Sequence, residues 1–331
     1  MCKYGQVRFF KDERVGASFM LLAACLGFAL QNTGALGADF LALRLELWPL
    51  VSQVGMALFF ALIGFELRNE FSSGLFRNPR TIIVPAFGAL IGVVIPAIVY
   101  VTLSLFAGAS SQITAAWPMV TATDVSFALM AFSLLAKGLP GSLRAFLLSF
   151  AVIDDIFATL ALAIGFARPD ALTPLISTTA AMALAFALKA KQVRRVIRYL
   201  SPFVAFIVLP IFAFFAMQVA FSAETIFVGS GAILVALIAT RPFTKWAGVF
   251  LGSVIANRML SKDARLSLTT LDFARVASLA GIGFTVSLLA ADLAFGSESS
   301  LFASAASLTV LASLVATAFA AIALKVRRVA K

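Results

Sequence analysis

At 331 residues, 62% hydrophobic and 12% charged, the chain is too apolar for a soluble domain and is expected to be an all-α polytopic membrane protein. The net charge of +11 invites a nucleic-acid reading, but the basic residues fall in short blocks between apolar runs, which excludes it. Histidine is absent and the two cysteines, Cys2 and Cys25, form no pairing pattern, which argues against a zinc enzyme and against a disulfide scaffold.

About ten apolar segments follow, centred near residues 26, 57, 93, 125, 154, 180, 211, 238, 285 and 313. Some 20 apolar residues in a helix, rising about 1.5 Å each, cross a hydrocarbon core of about 30 Å. The first, Ala17–Leu36, lacks a convincing cleavage context and reads as a span, not as a signal peptide. With both termini in the cytoplasm, 22 of the 26 basic residues fall on the cytoplasmic side, and only Arg44 and Arg168 fall opposite. Lys189, Lys191, Arg194, Arg195 and Arg198 follow the sixth segment, and Arg258, Lys262, Arg265 and Arg275 follow the eighth. This is the positive-inside pattern of a multi-pass protein.

The chain reads as a single transmembrane domain, 1–331, containing two three-span blocks, 81–167 and 226–325. The first block begins at the cytoplasmic side after Arg80 and the second on the far side after Thr225, so they are oppositely oriented, as an inverted repeat requires. The remaining spans, 16–67 and 171–221, read as scaffold. In each block the middle span carries an interruption: Trp117-Pro118 through Thr121, Thr123 and Asp124 in the first, Gly281, Gly283 and Thr285 in the second. Broken helices at membrane depth are tolerated only where their backbone faces protein or a watered cavity. Their ends carry partial charges of opposite sign that ionised side chains can compensate.

Charged residues well inside spans are few: Asp124, the adjacent pair Asp154 and Asp155, and Arg241, with Lys245 one turn further on. A carboxylate at mid-bilayer costs on the order of 2.5–3.5 kcal/mol on insertion scales. Neighbouring helical residues point ~100° apart, so one aspartate can be held by a basic partner while the other opens to water. Asp124 is either a further ligand or, the favoured reading, a cap on a half-helix. Arg241 is expected to pair with Asp154 or Asp155, and Lys245 to snorkel to the cytoplasmic surface. Three carboxylates against one arginine leave a formal −2, which a low-dielectric site holds only with bound cations or protons. Na⁺ or Li⁺ then competes with H⁺ for Asp155, Asp154 and the Thr123 oxygens, and alternating access converts that competition into exchange. Such a site needs no cofactor.

The chain resembles the NhaA family of sodium/proton antiporters, a standard example of inverted repeats with broken helices. The resemblance rests on Ala61-Leu-Ile-Gly-Phe-Glu66-Leu-Arg68-Asn69-Glu70, on Ala122-Thr-Asp124-Val-Ser-Phe-Ala-Leu129 and on Phe146-Leu-Leu-Ser-Phe-Ala-Val-Ile-Asp154-Asp155. It continues through Leu209-Pro-Ile-Phe-Ala-Phe214, Gly281-Ile-Gly-Phe-Thr-Val-Ser287 and Leu293-Ala-Phe-Gly-Ser297, and so covers nearly the whole chain. It implies an inverted-repeat fold with two broken crossing helices, Na⁺/H⁺ antiport in the bacterial inner membrane, and Asp154 and Asp155 as the ion- and proton-binding pair, Asp155 the more exposed. Asp124 and Thr123 match the first broken helix, Gly281–Thr285 the second, and Glu66 and Glu70 a partial pH-response site.

Several departures accompany it. The family's Gly-Lys-Pro is Thr240-Arg241-Pro242 here, and an arginine does not release a proton at accessible pH. The family's pH-sensing Glu and His are absent from Val196–Pro202. Two spans are missing between the sixth and seventh segments. The hairpin after the first span, through which the family's best-known form dimerises, is also missing, so a homodimer stays open. The competing readings are a degenerate or regulatory homologue, an antiporter of another monovalent cation, and an intramembrane aspartyl protease using Asp124 and Asp155. The last lacks the Gly-x-Gly-Asp motif, since Phe284 follows Gly283.

Overall fold

Apolar runs fold as helices throughout the computed structural model, which describes residues 13–35, 37–73, 78–166, 180, 183, 187–221, 231–262, 265–296 and 299–325. Most of the sixth predicted span, together with Cys2, Lys3, Arg8, Lys11, Arg77, Arg168, Thr225 and the basic C-terminal tail after Lys325, lies outside the described residues. In chain order the helices are α1 (Glu13–Asn32), α2 (Ala38–Ser73), α3 (Ile83–Phe106), α4 (Ser111–Ala115), α5 (Val125–Leu135) and α6 (Gly141–Phe166). They continue as α7 (Ala190–Phe203), α8 (Leu209–Ala216), α9 (Gly231–Met259), α10 (Thr270–Ala280), α11 (Thr285–Phe295) and α12 (Ser300–Lys325). Among the described residues 7 helices are long and apolar enough to cross a membrane, 8 if the bent pair α10–α11 counts as one span. The second predicted span lies in α2, whose apolar stretch Ala57–Glu66 is shorter than a full crossing.

The chain divides into two compact units, one of Met1–Arg77 with Thr173–Ala220 and one of Asn78–Leu172 with Phe221–Lys331. In the first, α1 packs on α8 with backbones touching: a Cβ at Gly27 would run into the Phe214 carbonyl. A π-helical turn, Val204–Val208, joins α7 to α8, flanked by Pro202 and Pro210, neither of which has an N–H for the α-helical ladder. Helix α7 buries Val193 beside Phe65 of α2 and leaves Lys191, Arg194, Arg195 and Arg198 exposed.

In the second unit α3 and α9 pack most extensively, and each presents glycines four residues apart. A Cβ on Gly248 would lie 2.6 Å from the Ile91 carbonyl oxygen, and one on Gly252 2.8 Å from that of Phe87. Small residues that let two backbones meet are the usual means of holding helices together where lipid offers no hydrophobic drive. Tyr100 at the far end of α3 donates its hydroxyl to the Ile113 carbonyl (2.8 Å), inside a core shared with Leu234, Leu237, Phe295 and Leu308. Outward-facing Ile98, Leu105, Leu314 and Ile322 are exposed, as a bilayer-facing surface requires.

Candidate functional site

Both predicted interruptions are present, and they meet. Between the 3₁₀ turn Trp117–Val120 and α5, residues Thr121–Asp124 leave the helix; between α10 and α11, residues Gly281–Phe284 do the same. The Asp124 amide donates to the Ile282 carbonyl (2.8 Å), and the Thr123 hydroxyl donates to that of Ala280 (2.8 Å). Glycine is required at the contact. A Cβ on Gly283 would collide with the Ala122 carbonyl and the Arg241 guanidinium, and one on Gly281 would approach Pro242 Cα to 3.0 Å. Ser313 of α12 donates to the Gly283 carbonyl (2.7 Å).

Asp124 caps two helices at once. Its Oδ1 accepts from the Ser126 amide (3.1 Å), the Ser126 hydroxyl (2.6 Å) and the Phe127 amide (3.3 Å), at the start of α5. Its Oδ2 accepts from the Thr285 hydroxyl (2.8 Å) and amide (3.3 Å), at the start of α11. A carboxylate is the charge that two converging N-terminal dipoles favour. No separate ligand role is needed to account for its position.

Asp154 is fully buried and Asp155, its neighbour on α6, is half-buried. Asp154 Oδ2 accepts from the Thr123 amide (3.1 Å), which ties α6 to the first interruption. The cationic partner corrects two expectations. Lys245 does not snorkel: it is fully buried, and its ammonium donates to Asp154 Oδ1 and Oδ2, both at 2.8 Å, and to the Thr121 carbonyl. Arg241, also buried, donates through Nη2 to the Ala122 carbonyl (2.8 Å), and no salt bridge joins it to a carboxylate among the described residues. Its Nε and Nη1 find no acceptor there. The reason is reach along α9. Arg241 sits at the level of the crossing, where its planar group lies against Gly283, while Lys245, one turn further on, is level with Asp154. The sequence did carry a signal for Lys245: it lies four residues from Arg241, on the same face of the helix.

The two cations therefore bind the carbonyls left exposed at the first interruption, Thr121 and Ala122, as Asp124 binds the exposed amides. Thr121 itself turns its hydroxyl back to Pro118 (2.8 Å), and Thr123 uses its own on Ala280, so neither hydroxyl proton points at Asp155. Glu66 lies on α2 in the other unit, and the side chain of Glu70 lies outside the described residues. A second buried ion pair, Arg275 with Asp272 (3.2 Å), stands at the start of α10, where Asp272 also closes a capping box with Thr269. Arg275 was expected in a cytoplasmic loop; a carboxylate one turn away along the helix gives it a partner inside instead.

The profile of the Na⁺/H⁺ antiporter 1 family matches residues 7–202 and 195–324. The Na⁺/H⁺ antiporter NhaA 2 of Clavibacter michiganensis is 32% identical over 379 positions, covering 96% of this chain and 91% of that protein. The Na⁺/H⁺ antiporter NhaA of Renibacterium salmoninarum is 32% identical over 386 positions, covering 96% and 87%. The Na⁺/H⁺ antiporter NhaA 3 of Streptomyces coelicolor is 28% identical, covering 96% and 79%. Alignments of 386 positions exceed a chain of 331 residues, so the relatives hold residues with no counterpart here.

Proposed function

The chain belongs to the Na⁺/H⁺ antiporter 1 family, a secondary transporter and not an enzyme, and on that premise we propose that it exchanges Na⁺ or Li⁺ for H⁺ by alternating access at Asp154 and Asp155. The observation that carries this reading is the half-buried Asp155 beside a fully buried, paired Asp154, at the crossing of two interrupted helices. Oxygen is the ligand atom a hard monovalent cation prefers, and carboxylate oxygens bind protons equally well. One group serving both cannot hold both together, and that exclusion is what couples the two fluxes. The protein works in the bacterial inner membrane with both termini in the cytoplasm; the basic loops support that orientation.

Full-length protein reconstituted in liposomes with an entrapped pH dye tests the proposal. Adding Na⁺ or Li⁺ collapses an imposed ΔpH and adding K⁺ does not. Correctly inserted protein that leaves ΔpH unmoved by any of the three between pH 6 and 9 refutes exchange.

A further inference from the structure

We propose that α9, α11 and α12 enclose a buried water site next to the crossing, built from the Ser287 and Thr309 hydroxyls and the open edge of the Arg241 guanidinium, and that the bound water holds that guanidinium in place. Its bearing on transport rests on the antiport reading. The register of α11 against α12 brings the two hydroxyls together. Ser313 donates to the Gly283 carbonyl (2.7 Å), and the Ser299 amide closes the turn between the two helices on the Gly296 carbonyl (3.1 Å), so the helices run antiparallel. Ser287 and Thr309 each lie one turn from the Gly283–Ser313 bond, and so at one level. Both are fully buried on the stripes that face a shared core. Ser287 precedes Ala290 and Ala291 of that core by one turn, and Thr309 lies one turn from both Ala305 and Ala312. Neither hydroxyl finds a partner among the described residues. Both forgo the bond to the carbonyl one turn earlier that Thr317 makes with Ser313 (2.8 Å).

Arg241 borders the same core from α9. Leu237 and Ile238, one turn before it, pack in the cluster that holds Ala290, Leu308 and Ala312. Its Nη2 lies against Gly283, the residue that Ser313 holds, and its Nε and Nη1 have no acceptor among the described residues. Unmet polar groups of three helices thus border one core beside the crossing. The hydroxyls both give and accept hydrogen bonds, whereas the guanidinium only gives. A cation there would be repelled by Arg241. An anion would face the like charges of Asp124 and Asp154, since Arg241 holds the Ala122 carbonyl and Asp154 the adjacent Thr123 amide. Water, with two lone pairs and two protons, answers all three groups, and buried waters with about three partners are regular parts of protein interiors.

Melting curves of the full-length protein in detergent test the site, because exchanging a hydroxyl for a methyl has opposite signs in dry and wet surroundings. At a dry interface Thr309→Val removes an unmet polar group and raises the melting temperature; with water bound it takes away a partner and lowers it. A lower melting temperature is expected for Thr309→Val and for Ser287→Ala. On an Arg241→Met background the Thr309→Val shift should shrink, since the bridge has already lost its other end. In liposomes Thr309→Val should slow Na⁺-dependent exchange by about fivefold, the factor of one hydrogen bond, and Thr309→Ser should restore it. A density map that resolves ordered water should hold a peak bonded to both hydroxyls in wild type, and in Thr309→Val the guanidinium should leave the Ala122 carbonyl. A raised melting temperature, a dry map, or a peak that gains density when bromide replaces chloride overturns the water site. An undiminished shift on the Arg241→Met background, or a guanidinium unmoved in Thr309→Val, overturns its hold on Arg241. Wild-type protein without exchange overturns the antiport reading instead, and the melting and density results still decide the site.

Discussion

Asp154 and Asp155 differ by a single step along α6, yet Asp154 is fully buried against Lys245 and Thr123 while Asp155 is half-buried. Asp155→Asn keeps shape and removes charge, so Na⁺-dependent exchange should fall to the level of empty liposomes while the melting temperature holds or rises; unaltered flux would move the site elsewhere. Asp124→Asn leaves one acceptor oxygen for two helix starts and is expected to destabilise the protein by about 1–2 kcal/mol, read from thermal melting in detergent. The aspartates were legible in the sequence because a carboxylate inside an apolar run is so costly that it demands an explanation. The choice between Arg241 and Lys245 was not. Both lie on one face of α9, and which one reaches Asp154 depends on the height at which α9 meets the crossing, a tertiary quantity that spacing alone does not supply.

At the scale of elements, the two interruptions were visible as proline, threonine and glycine in apolar sequence, but their contact was not. It depends on the Asp124 amide finding the Ile282 carbonyl and on room for a backbone at Gly283. Gly283→Ala should therefore cost about 1–3 kcal/mol of stability, as overpacking does. Because the added methyl displaces the Arg241 guanidinium, exchange should drop with it, and a variant as stable and active as wild type would show that the crossing is looser than described. Gly248→Leu on α9 should be equally disruptive by a different route, forcing α9 away from Ile91 and Gly92 of α3, and a lower yield of folded protein on size exclusion would register it. The long α2 went unforeseen as one helix, because its polar residues Arg44, Glu46 and Gln53 mask the continuity that the backbone shows.

For the whole molecule, orientation and competition are the properties to measure. The proposed orientation, with the basic loops and both ends in the cytoplasm, predicts that a fluorescent protein fused after Lys331 fluoresces and that a phosphatase active only in the periplasm stays silent there. The proposed competition of both ions for one site predicts that the Na⁺ concentration for half-maximal exchange rises toward about tenfold per pH unit on the acid side, the limit for one proton displacing one cation. A much steeper rise would require more protons. Class and membrane character followed from composition alone, whereas the division of the chain into two units depends on contacts between segments far apart in sequence. One last consequence concerns movement. Since a lone carboxylate moors the beginnings of both α5 and α11, pulling either away strands at least one amide without an acceptor. The two half-helices are yoked, so that any displacement of one that keeps these hydrogen bonds carries the other with it.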